Sequence, residues 1–191
     1  TIQVDERKIS SDTIPNTDTT RITEVLNTVF YNSISATDNP SKEQLDYALK
    51  YYKKYVDLNE NDIYGLQNYV STFKENSENS GEYLEAFEKY FLKLTNDNHN
   101  LIESLDAVFT DNIESFGTDW IYFKNTFANL SNSAAWHVVE KITDKTLIQK
   151  AIKWSETSLI IEPYSHYYLD TLAQLYYKNG QTEKGIEFEQ K

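Results

Sequence analysis

The sequence predicts an all-α chain of about ten helices in antiparallel pairs joined by short links. Three observations carry this. Gly and Pro number only 5 and 3 among 191 residues, too few for the turns of an all-β fold or for a Gly-rich phosphate loop. Apolar residues recur at spacings of three and four in segment after segment, the period of one helix face. A pattern near the C-terminal end also recurs 34 residues later, as it does in stacked helix pairs.

Residues 1–17 stand apart. They are rich in Thr, Ser and Asp, contain Pro15 and show no helical period, which predicts a linker or N-terminal arm. The helical domain is expected over 18–191. Its first helix carries Ile22, Val25, Leu26, Val29 and Phe30 on one face. Pro40 ends the connection that follows, and Ser41 with Gln44 has the form of a capping box. Leu45, Ala48, Leu49, Tyr52 and Val56 make the second apolar face. After the polar turn at 59–62, Ile63, Leu66, Tyr69, Val70 and Phe73 make the third. The polar loop at 75–81 precedes a fourth, with Tyr83, Leu84, Phe87, Phe91 and Leu94.

A turn at 96–100 leads to a fifth helix with Leu101, Leu105, Val108 and Phe109. Phe116-Gly117-Thr118 interrupts the period. Trp120, Phe123, Phe127 and Leu130 form an aromatic helix, and Ser131-Asn132-Ser133 reads as the cap of a separate helix over 134–142. The segment 146–161 is helical and stops before Pro163. The helix over 167–178 ends at Asn179-Gly180, where Gly180 suits the left-handed residue that closes a helix. A last helix starts at Thr182.

The repeat is clearest between Ala151-Ile152-Lys153-Trp154 and Gly185-Ile186-Glu187-Phe188, where small, aliphatic, charged and aromatic residues recur in order 34 residues apart. The same offset pairs Val138-Val139 with Leu172-Ala173, and Ile142 with Tyr176. On these residues the chain resembles the tetratricopeptide family. Leu172-Ala173 and Tyr176 match its large–small–aromatic first helix, Ala151 and Gly185 its small slot in the second, and Pro163 its closing proline. The resemblance implies pairs stacked as a right-handed superhelix. It gives clear repeats over 133–191, degenerate repeats over 41–94 and an irregular joint over 96–132. In the degenerate part, Ala48-Leu49-Lys50-Tyr51 echoes Ala151-Ile152-Lys153-Trp154.

A second resemblance is to helical tails that follow a thioredoxin-like domain in some bacterial thiol-disulfide proteins. It lies in Ala134-Ala135-Trp136, in Ala151 to Ser155 and in Tyr168 to Gly180. The chain has no Cys, so no redox motif lies within it. The resemblance implies an accessory region of a larger extracytoplasmic or periplasmic protein, with a thioredoxin-like domain upstream as a partner in the same chain. The absence of Met and the start at Thr1 fit an excised or processed piece.

Composition narrows the function. The formal charge is −12, which repels phosphate backbones and anionic membrane surfaces, so nucleic acid is not an expected partner. No apolar run reaches the length of a membrane span. His99, His137 and His166 fit no metal-ligand spacing, and there is no nucleophile elbow or phosphate loop. Glu85 and Glu88, three apart, read as a solvated face. No catalytic residue, metal or cofactor is expected.

In tetratricopeptide arrays the first helix of each pair lines the concave face. The resemblance therefore implies partner-binding residues Trp136 and Glu140 in one unit, and Tyr167, Asp170, Gln174 and Tyr177 in the next. In the degenerate unit it implies Tyr64 and Gln67, followed by Ser71 and Lys74. Packing between pairs explains Tyr167 and Tyr177 equally well and is the simpler reading of Trp136. The expected function is a non-catalytic scaffold for a protein or peptide. The alternatives are the thiol-disulfide tail and, behind it, a self-contained helical enzyme or glycan-binding protein.

Overall fold

A computed structural model describes residues 41–75, 80–95 and 100–191. The chain divides into two units, Thr1–Leu45 and Asp46–Lys191. Of the first, only residues 41–45 are described. The expected arm over 1–17, the helix bearing Ile22 to Phe30, and His99 lie outside the described residues.

The described residues are all-α, with no strand. In chain order the helices are α1 Lys42–Leu58, α2 Ile63–Glu75, α3 Ser80–Thr95, α4 Leu101–Asp111 and α5 Ile113–Phe116. They continue as α6 Trp120–Lys141, α7 Lys145–Ile161, α8 His166–Lys178 and α9 Thr182–Glu189. Short polar side chains start most of them by accepting from a free amide of the first turn. Ser41 and Gln44 form the reciprocal box: Gln44 N–H donates to Ser41 Oγ (3.3 Å) and Ser41 N–H to Gln44 Oε1 (2.8 Å). Asp62, Asn100, Asp119 and Asp144 accept from Gly65, Glu103, Tyr122 and Leu147 respectively.

The end of α8 follows the predicted chemistry. Gly180 has φ of 79°. Its N–H donates to the Tyr177 carbonyl (3.0 Å) and the Gln181 N–H to the Tyr176 carbonyl (2.8 Å), the paired bonds of a left-handed helix closure.

One expected boundary is absent. Ser131-Asn132-Ser133 is not a cap: α6 runs unbroken for 22 residues through it. Nothing there forces a stop, because the segment has neither Pro nor Gly, and Ser131 is fully buried. Two predicted helices are thus one, and the short α5 is an element the periodicity did not separate.

The helices pack as antiparallel pairs: α2 with α3, α6 with α7, and α8 with α9. Burial follows the 34-residue register. Ala134, Ala135, His137 and Val138 are buried, as are Tyr168, Leu169, Thr171 and Leu172, while Trp136 and Asp170 are exposed at the matching position. Small residues set the close approach. Ala134, Ala135, Ala151 and Ala173 have no exposed surface. On α7, Ser158 Oγ reaches the Ala128 carbonyl of α6 (2.9 Å), and Ser155 Oγ reaches the Tyr168 carbonyl of α8 (3.4 Å).

The stack skips part of the sequence. The α2–α3 pair lies directly against α6 and α7: the Phe87 and Trp154 ring centroids are 4.9 Å apart, and Lys150 Nζ is 2.5 Å from Glu88 Oε1. Helices α4 and α5 form a side excursion between these pairs. It is held by edge-on and tilted contacts among Phe109, Phe116, Trp120 and Phe123. Residues 100–132 comprise this excursion and the first turns of α6.

Candidate binding groove

The helix period decides which side chains α6 leaves in the open. Tyr122, Asn125, Asn129, Asn132, Trp136 and Glu140 follow one another at spacings of three or four, so they form a single stripe along the helix. None of the six is buried; Tyr122 is 65% and Trp136 37% exposed. The neighbouring α8 presents Tyr167, 82% exposed, and the exposed Asp170 beside it.

Two open clefts lie along this stripe. The first, of about 400 Å³, is lined by Lys74 of α2, Tyr83 of α3, Trp136 and Glu140 of α6, and Tyr167 and Asp170 of α8. The second, of about 570 Å³, is lined by Ser71 and Lys74 of α2 with Tyr122, Asn125 and Asn129 of α6. Lys74 borders both clefts, which adjoin there and together make up the candidate groove.

Side-chain bonds hold several of these groups in place. Lys74 Nζ donates to Asn129 Oδ1 (3.1 Å), and Gln174 Nε2 lies 3.5 Å from Asp170 Oδ1. The Thr171 hydroxyl donates to the Tyr167 carbonyl one turn back (2.8 Å). Beneath Trp136 and Glu140 sits His137, buried, with Nε2 2.8 Å from Ser80 Oγ and its ring edge-on to Tyr83. Burial lowers its pKa from 6.5; Glu140 opposes the shift and Lys141 adds to it.

Four of the expected partner-binding residues, Trp136, Glu140, Tyr167 and Asp170, therefore meet in the first cleft, and Gln174 braces one of them. Ser71 and Lys74 line the second. The other three face elsewhere. Gln67 is buried, and its amide oxygen accepts from the Tyr90 hydroxyl at 2.9 Å. Tyr64 is partly covered by Phe116, whose ring meets it edge-on at 5.6 Å. Tyr177 folds over Gly185, and its hydroxyl donates to Glu189 (2.9 Å). The common cause is that register fixes a residue's angle on its helix but not what covers it. The α5 excursion covers Tyr64, and the missing side chain at Gly185 draws in Tyr177.

Tyr122, Asn125 and Asn129 are groove residues that repeat alignment passes over, because the repeat loses register there. Their own three-and-four spacing with Trp136 and Glu140 was the available signal. Glu88, read as solvated, pairs with Lys150. Among the described residues no group of three or more His, Asp or Glu is placed to hold a metal ion, and no helix is long and apolar enough to cross a membrane.

No family model matches the chain, and no curated protein does. Solved structures that are similar include the following two. One, described as the crystal structure of MamA protein, is 15% identical, with 87% of this chain and 90% of that chain covered and a TM-score of 0.31. The other, described as the crystal structure of MamA, is 15% identical over 78% of this chain and 86% of that one, with a TM-score of 0.29.

Proposed function

We propose that this chain is a non-catalytic scaffold of tetratricopeptide type, binding a protein or peptide in the groove along α6. The observation that carries this is the exposure of Trp136 and Tyr167, from two helices, in the lining of one cleft. Large aromatics left in water at a concave site supply rigid contact area with a polar tip, the kind of group that dominates protein recognition. Packing within the fold gives no reason for Tyr167 to be 82% exposed. The side chains around it are carboxylates and amides without a buried catalytic pair, which suits holding more than chemistry.

The test places a photo-crosslinking amino acid at Trp136 or, as a control, at the exposed Ile160 of α7, and irradiates the protein in its native extract. A partner captured from position 136, absent from position 160 and lost on Tyr167→Ala/Asp170→Lys is the expected result. Equal capture from both positions, or capture indifferent to the double substitution, refutes the groove.

A further inference from the structure

We infer that the groove's occupant is an extended peptide of about eight residues with a Lys or Arg side chain seated between Trp136 and Tyr167. This rests on the scaffold reading above and names the chemistry of its partner.

Length comes first. From Tyr122 to Glu140 the stripe covers about five helical turns, or about 27 Å. An extended chain advances about 3.3 Å per residue, so about eight residues lie along it.

The middle of the stripe suits a backbone rather than side chains. Asn125 and Asn129 are one turn apart, a rise of about 6 Å. Alternate residues of an extended peptide are about 6.6 Å apart, so successive carboxamides meet successive peptide groups of one edge. Each carboxamide offers a donor and an acceptor, the complement of a peptide group. Asn129 already receives the Lys74 ammonium (3.1 Å) and keeps its NH₂ for a peptide carbonyl.

Charge settles the end. Lys74 is tied to Asn129 in the middle of the groove. Glu140 and Asp170 line the cleft that Trp136 and Tyr167 share, and His137 beneath them is biased to its neutral form. With Lys74 as the one cation among the residues that line this cleft, Glu140 and Asp170 leave its lining net negative. Carboxylates beside exposed aromatic faces favour a cation, through Coulomb attraction and through the ring quadrupole. An acidic side chain would meet two like charges there.

The experiment titrates the protein into fluorescein-labelled octapeptides of Gly, Ala and Ser that carry one Arg, one Glu or neither, and reads anisotropy. The Arg peptides should bind at least tenfold more tightly than the Glu peptides. Glu140→Gln/Asp170→Asn should remove that preference, while Asn125→Ala/Asn129→Ala should weaken Arg and neutral peptides by the same factor. All four positions are on the surface, and unchanged circular dichroism and melting of each variant establish that it folds. Equal affinity for Arg and Glu peptides, no binding of any Arg peptide, or a preference that survives the carboxylate substitutions overturns the inference. Crosslinking from position 136 is read separately, so a groove that captures a partner but ignores Arg peptides keeps the scaffold reading and loses this one. Loss of both removes the two together.

Discussion

The ammonium of Lys178, in the last turn of α8, lies 2.5 Å from the carbonyl oxygen of Val139 in the last turn of α6, and 3.1 Å from that of Val138. One pair's first helix thus supplies the cation that closes the first helix of the pair before it. Helix C-terminal carbonyls carry a partial negative charge, and the last four, Val139 among them, lack partners within the helix, whereas Val138 also accepts from the Ile142 N–H (3.2 Å). Lys178→Met keeps the stem and removes the charge. It should cost about 1–2 kcal/mol, read from urea unfolding. Lys178→Arg should recover part of the loss, and a cost below a few tenths of a kcal/mol for Met would show that the contact contributes nothing.

Gly65 and Gly185 both lie under a tyrosine ring, with different freedom to adapt. A methyl at Gly65 would fall 2.5 Å from Tyr55 Cε1 and 2.8 Å from Asp62 Oδ2. Tyr55 is buried and its hydroxyl is held by Asp62 at 2.5 Å, so the ring cannot swing clear. Gly65→Ala should therefore destabilise by about 1–2 kcal/mol despite Ala's better helix propensity. A methyl at Gly185 would fall 2.5 Å from Tyr177 Cε1, but that ring is partly exposed and its hydroxyl is held only by the exposed Glu189, so it is able to turn outward. Gly185→Ala should fall within about 0.5 kcal/mol of the parent, the propensity gain offsetting the shift. Thermal melts of the two variants in parallel decide it: equal shifts contradict the account.

Trp154 is 3% exposed, with Phe87 edge-on at 4.9 Å and Phe91 tilted at 6.4 Å. It joins α7 to α3. Trp154→Ala should cost about 3–5 kcal/mol by leaving a cavity. Trp154→Phe should cost less than half of that. Chemical denaturation measures both, and similar costs for the two would mean that the ring's size is not what matters.

His137 makes stability depend on pH. Burial depresses its folded pKa below the 6.5 of the free group, so the unfolded chain binds the proton more readily. Stability from this residue is full above about pH 6.5 and falls as pH drops from there toward the depressed folded value. His137→Gln, which retains a polar end toward Ser80, should flatten the unfolding midpoint between pH 7 and 5 relative to the parent. Parallel pH profiles for the two proteins would assign the dependence to other groups.

Local chemistry was the legible part of this chain. The capping box at Ser41, the closure at Gly180 and the apolar faces of α1 to α4 all follow from side chains acting on their own or adjacent turns. What depended on neighbours was less legible. Ser131 has the composition of a cap but lies buried inside α6, because the helices packed around it, rather than its own turn, keep that segment helical. Gln67 and Tyr177 occupy the angles that repeat register assigns, yet Tyr90 covers one and α9 draws in the other. The groove's amide stretch is less legible for a related reason: the 34-residue repeat does not extend over the excursion, and only the period of α6 itself reveals Asn125 and Asn129.

The excursion formed by α4 and α5 also bears on how the chain reaches its fold. Helices α6 to α9 meet partners that are near neighbours in sequence, so their loops close cheaply. The Lys74–Asn129 contact spans 55 residues, and the α2–α3 pair must search across that span before it can dock. Rates fall as contacts become less local. On contact locality the C-terminal pairs are expected to form first, leaving the face of α6 that becomes the groove open until α2 docks.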